Sequence, residues 1–140
     1  MKIAFISALS DPYYDYVKSG RKIWEIRLKK GGWETLQEGD AVLLFRHGGR
    51  GEFIVVEVLE RKEYSSIREA LEEVGVEGAI PQARSIDEAL REYRRFYSED
   101  KERKYGVVAF RVRTVAKYSG ELHKDVLLKY LPHLKEECAK

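Results

Sequence analysis

The 140-residue chain has one cysteine, one methionine, three prolines and no asparagine. A lone Cys138 excludes an intramolecular disulfide framework and a cysteine-based zinc cluster. The three histidines, at 47, 123 and 133, are too few and too scattered to build a metal site. No metal or cofactor is therefore expected. Apolar runs reach only strand length, which excludes a transmembrane helix, and no membrane partner is expected. The first residues lack a charged segment followed by an apolar stretch and a cleavage site, so no secretory leader is expected. The expected compartment is the cytoplasm. An excess of one charge is also missing. Basic residues number 26 and acidic ones 24, a net charge of +2. A domain that binds nucleic acid by charge alone is usually more basic.

What the chain has in quantity is charge of both signs, at 36% of residues. Lysine, glutamate and arginine are abundant while thermolabile residues are scarce, the composition of a heat-adapted protein covered in ion pairs. The length favours a single domain, which buries roughly 68–70% of its extended surface without staples. No internal repeat, low-complexity run or flexible linker divides it.

The opening residues 2–8 (KIAFISA) read as a strand. Ser10 and Asp11 offer capping side chains before Pro12, which suits the first turn of a short helix ending at Gly20. Residues 22–28 (KIWEIRL) are rich in β-branched and aromatic side chains and predict a strand. Gly39-Asp40 turns into a strand at 41–46, and glycines 48, 49 and 51 permit a hairpin into a long strand at 52–62. Two helices follow. Ser65 or Ser66 caps the first, and Ser85 with Glu88 forms a capping box on the second. The second helix carries Ile86, Ala89, Leu90, Tyr93 and Tyr97 on one stripe. Residues 105–115 predict another strand. A terminal helical piece carries Leu127, Leu131, Leu134 and Cys138 on one stripe, interrupted by Pro132. The order fits an α+β fold built on a mixed, curled sheet or barrel, and not a doubly wound parallel one.

Alternation along residues 22–28 puts Lys22, Trp24, Ile26 and Leu28 on one face and Ile23, Glu25 and Arg27 on the other. With Trp24 and Ile26 in the core, Glu25 and Arg27 lie side by side on the opposite face, with Lys22 at the strand entrance. Arginine offers a planar fork of donors and glutamate an acceptor, a trio that suits a polar ligand. A surface ion pair explains the same residues. The Gly-rich 47–52 lacks the Gly-Lys-Ser/Thr ending of a phosphate loop and reads as a turn. Arg91, Arg94 and Arg95 form a basic face, but Asp87 and Glu99 lie four residues from Arg91 and Arg95, so a salt-bridged helix surface is expected. Arg111 and Arg113 share a strand face. His123 and His133 read as surface residues and Cys138 as a small packing residue.

One combination of these residues resembles a known family. Tyr14, Val17 and Gly20 followed by RKIWEIR are similar to the signature of the ASCH domain, the activating-signal-cointegrator homology family. The Gly39-Asp40 turn, the late helix with Tyr93 and Tyr97, and Tyr105-Gly106 leading into VVAFRV match as well. The resemblance spans roughly residues 3–115. It implies a PUA-like fold, a mixed β pseudo-barrel flanked by helices, over 1–116. Residues 117–140 then form a C-terminal helical extension packed on the same domain.

The family resemblance further implies RNA or a nucleotide-like small molecule as ligand, in a cleft lined by Lys22, Glu25 and Arg27. Lys22 and Arg27 would meet phosphate or a base edge, and Glu25 would accept from an exocyclic amine. Arg46 and Tyr105 are further lining candidates, Tyr105 as a stacking ring. Some small bacterial members look like amidohydrolases of acetylated cytidine. They use the motif lysine, a threonine three residues later and a glutamate before a helix. Here Lys22 is kept, Glu25 stands at the threonine position, and Gln82 stands near the glutamate position with Glu77 close by. No catalytic residue is assigned on this basis. A hydrolase of a modified nucleoside is the alternative, with Glu77 or Ser85 as the second group. A protein-interaction module using the C-terminal stripe is a third reading.

Overall fold

The structure, a computed structural model, describes residues 3–48 and 51–118. The C-terminal stripe, with Leu127, Pro132 and Cys138, lies outside the described residues. The chain runs through β1 (Ile3–Leu9), α1 (Tyr13–Ser19), β2 (Trp24–Leu28), α2 (Gly32–Thr35), β3 (Ala41–Arg46) and β4 (Phe53–Tyr64). It continues through α3 (Ile67–Val74), α4 (Ile86–Arg94), α5 (Glu99–Tyr105) and β5 (Val107–Tyr118).

The described strands form one mixed sheet in the order β1-β3-β4-β5-β2. Only β1 and β3 run parallel, and the other neighbours are antiparallel. The sheet is open, because its edges β1 and β2 do not pair with each other. Register shifts at Val55/Val56 and Val58/Glu60 interrupt the long β4–β5 ladder. Such bulges sharpen twist and bend a strand. The expected barrel is therefore realised as an unclosed sheet.

Burial on both faces explains why β3 and β4 read as nearly continuous apolar runs. Val42, Leu44, Ile54, Val56 and Val58 face the main core with α1, α3 and α4. Ala41, Leu43, Phe53 and Val55 join Ile3 in a second cluster. Strand β2 is the edge nearest the candidate residues. Its outer side is occupied by a loop, since Ile23 N and Trp24 N both donate to Gly78 O, at 2.8 and 3.0 Å. A Cβ on Gly78 would stand 3.1 Å from Ile23 Cγ1, so glycine suits this close approach.

Helix starts follow the serines. Ser66 accepts from Glu69 N and Ser85 from Glu88 N, as expected. The start of α1 differs. Pro12 holds the cap position without a side-chain cap, and Asp11 turns away to Arg46. Gly20 closes α1 in the left-handed region, with φ of 82°. The ion pairs also depart from the expected i,i+4 pattern. Asp87 pairs with Arg68, and Arg95 with Glu92. Helix α5 was not expected, because EDKERKY carries no apolar stripe. Its signals are the Ser98 cap, which accepts from Lys101 N, acidic residues in the first turn and basic ones in the last.

Glu102 in α5 ties three helices together. Its carboxylate accepts from Ile67 N at the start of α3 and pairs with Arg94 of α4 at 3.1 Å. The residue is buried, so removing it strands the Ile67 amide and takes the counter-ion from Arg94. Glu102→Ala is expected to cost about 2–4 kcal/mol in urea unfolding and Glu102→Gln about half of that. A loss below about 0.5 kcal/mol for the alanine variant would contradict this role.

Candidate ligand-binding site

Lys22 is the least exposed charged residue among the described residues, at 4%. Its Nζ donates to Trp24 O at 2.8 Å and to Ala79 O at 2.6 Å. The first contact curls the side chain onto its own strand. The second clamps the 75–84 loop against β2. The Tyr13 ring lies 5.9 Å from Nζ and adds a cation–π contact. Burial lowers the Lys22 pKa below the ordinary lysine value, with Glu25 opposing the shift and Arg27 adding to it.

Glu25 and Arg27 share a face of β2, as alternation requires, but that face is not a solvent face. Glu25 is 5% exposed. Arg27 Nε donates to Glu25 Oε1 at 2.8 Å. The Arg27 guanidinium stacks over Trp33 at 4.6 Å, and its Nη1 lies 3.5 Å from the Tyr97 hydroxyl. Desolvation raises the Glu25 carboxyl pKa, but Lys22 and Arg27 together outweigh it and hold it below the ordinary range. Glu25 Oε2 has no hydrogen-bond partner among the described residues, nor has the buried Tyr93 hydroxyl. Burial pushes the Tyr93 phenol well up, and the Glu25 charge pushes it further.

These groups converge on a cavity of about 480 Å³. Lys22, Glu25 and Arg27 line it together. The end of α4 and the turn that follows it supply another wall through Tyr93, Phe96 and Tyr97, spaced at i, i+3 and i+4. Glu92 and Tyr13 complete a polar rim. Tyr13 donates to Glu92 Oε1 at 2.9 Å and accepts from Gln82 Nε2 at 3.0 Å. Burial and the Glu92 contact push the Tyr13 phenol up to about 12.

The structure does not bring Arg46 or Tyr105 into this lining. Arg46 is enclosed by Asp11, Asp15 and Glu52 and lies over the Tyr14 ring at 4.5 Å. Tyr105 has Lys30 and Lys104 over its ring, each at 5.1 Å. Glu77 is exposed and Ser85 is occupied as a helix cap, so neither lines the cavity. Sequence reading missed Tyr13, His47, Glu92, Tyr93, Phe96 and Tyr97 in the lining. The helical spacing of 93, 96 and 97 was the available signal for Phe96. Nothing local in the sequence marks His47 or Glu92. A second, smaller concavity of about 270 Å³ lies at Lys18, Arg113 and Lys117 and shares Lys22 with the first.

An open mixed sheet with helices over a two-faced core, and a polar pocket beside one edge strand, defines an α+β domain. The ASCH domain model matches residues 8–116, and the chain belongs to that family. The crystal structure of hypothetical protein PH0355 is 35% identical, with a TM-score of 0.72, over 82% of this chain and 100% of that one. The solution structure of protein PF0455 from Pyrococcus furiosus is 34% identical, with a TM-score of 0.63, over 82% and 98%. An ASCH domain from Lactobacillus crispatus, 16% identical over 82% of this chain and 80% of its own, shares the fold at a TM-score of 0.54. No significant match to a curated protein was found.

Two outcomes follow from the buried charges. Lys22→Met leaves two buried carbonyls without their donor and is expected to cost about 2–4 kcal/mol in denaturant unfolding. The folded pKa of Glu25 lies below its ordinary 4.5. Its stabilisation is therefore present above pH 4.5 and is lost as pH falls through the folded value. Thermal melts across the acid range should show a shallower decline for Glu25→Gln than for the wild type. Parallel declines would refute the assignment.

Proposed function

We propose that the domain binds a single unpaired nucleobase, as a nucleotide or as part of RNA, in the cavity between β2 and α4. The observation that carries this reading is the pair of buried, unpartnered polar atoms, Glu25 Oε2 and the Tyr93 hydroxyl. A buried carboxylate oxygen without a donor is costly, and a ligand N–H that meets it recovers that cost. A base edge presents such a donor beside an acceptor, which the Tyr93 O–H satisfies. Glu25 Oε1 is already held by Arg27, so the free oxygen is fixed in direction. The volume suits one nucleoside and falls in the ordinary range for small-ligand sites. A duplex cannot enter such a cavity, so the base must be unpaired. Lys18, Arg113 and Lys117 add positive potential nearby for a phosphate-bearing ligand.

The hydrolase alternative has less support. Lys22 Nζ is directed at two backbone carbonyls. Gln82 donates to Tyr13 and supplies no acid. Glu92 is the other carboxylate in the lining, and it is engaged by Tyr13 and Arg95. Binding without turnover is the better fit. A protein-interaction role through the C-terminal stripe falls outside the described residues.

Calorimetric titration with the four nucleoside monophosphates tests the reading. At least one should bind, and Glu25→Gln should weaken it roughly 10- to 100-fold, the worth of a hydrogen bond to a charged group. Unchanged affinity in that variant, with the fold intact by circular dichroism, would refute the base pocket.

A further inference from the structure

Four large apolar side chains stand out as exposed among the described residues: Ile6 at 37%, Ile23 at 40%, Val115 at 39% and Phe96 at 49%. Phe96 is the most exposed of them and the sole aromatic. It is also the one that lines the main cavity. Its position is fixed from below. Phe96 N donates to Tyr93 O at 3.0 Å, which wraps the chain around the end of α4. Tyr13 meets the ring nearly perpendicular at 6.5 Å, and Tyr97 lies tilted at 6.4 Å. These contacts hold the ring in place while half of it stays in solvent. The Arg95 guanidinium lies 5.7 Å from the ring centroid on a largely exposed side chain.

An exposed, anchored aromatic ring beside an arginine is the arrangement that stacks bases of single strands. Here it sits at the mouth of a cavity with room for one base. We infer that Phe96 is a second base-binding site, a platform for the nucleotide next to the one held in the cavity. The inference rests on the base-pocket reading above and deepens it, because it makes the ligand a single-stranded oligonucleotide and not a free nucleoside. The two sites divide the work. Glu25 and Tyr93 would read a polar edge, while Phe96 would take the face of any neighbouring base. Arg95 would screen the phosphate between them.

The test compares the nucleoside monophosphates with single-stranded RNA hexamers of the same bases, titrated against the full chain. The wild type should bind the best hexamer at least about tenfold tighter than the matching monophosphate, and Phe96→Ala should remove roughly 5- to 100-fold of hexamer affinity. The loss of monophosphate affinity in that variant should be at least about fivefold smaller than the loss of hexamer affinity, because the neighbouring base is present only in the hexamer. Phe96→Trp should restore hexamer binding, which separates stacking from loss of fold. Equal weakening of both ligands by Phe96→Ala would make Phe96 a wall of the first cavity and overturn the platform. Monophosphate binding with no gain for the hexamer would overturn the platform and leave the base pocket standing. Failure of the wild type to bind either ligand would overturn both.

Discussion

The Lys22 ammonium, buried between two backbone carbonyls, is the contact on which the candidate site depends. It joins β2 to a loop 57 residues further along the chain. Together with the Gly78 carbonyl and the burial of Ala79 and Ile80 in the core, that join holds the 75–84 loop to the sheet edge and keeps Ile80 in the cavity lining. The positive charge also sets the electrostatics of its neighbours. Lys22 and Arg27 keep Glu25 ionised in a place where burial alone would favour the neutral acid. The three charges form a chain of compensation, and the site is stable because none of them stands alone. The single carboxylate oxygen left over has no hydrogen-bond partner among the described residues.

Much of the fold is legible in the sequence because its signals are local. The β3–β4 hairpin follows from two apolar runs around glycines, and α4 from Ser85, Glu88 and an apolar stripe. The short helix α5 was not legible, because a helix held by caps and one buried glutamate needs no stripe. Openness of the sheet was not legible either. Closure depends on whether β1 meets β2, a long-range relation that no local pattern encodes. Family resemblance pointed to a barrel, and register shifts in β4 bend the sheet without closing it.

The site was legible in part, and the division has a physical cause. Lys22, Glu25 and Arg27 lie on one strand, so their proximity is built into the spacing. Their burial is not, since it comes from Trp33 and from the far end of α4. Arg46 illustrates the opposite case. Its strand end looked free, but α1 brings Asp11 and Asp15 against it and the hairpin adds Glu52. A near-neutral chain crowded with charge therefore sorts itself by tertiary structure. Among the described residues most charged side chains meet counter-ions, and the proposed ligand contact rests on a carboxylate oxygen left without a partner.

The position of β2 in the sheet has a consequence for synthesis of the protein. The strand is made early, at residues 24–28, yet its sheet neighbour is β5, at 107–118. Another wall of the cavity comes from the end of α4, also late in the chain. While translation proceeds, β2 must therefore wait, unpaired, until nearly the whole domain has left the ribosome. A nascent or prematurely terminated chain cannot assemble the cavity. The cavity thus forms only when β5 and α4 are both in place, and a truncated product would present Glu25 and Arg27 as ordinary solvated side chains.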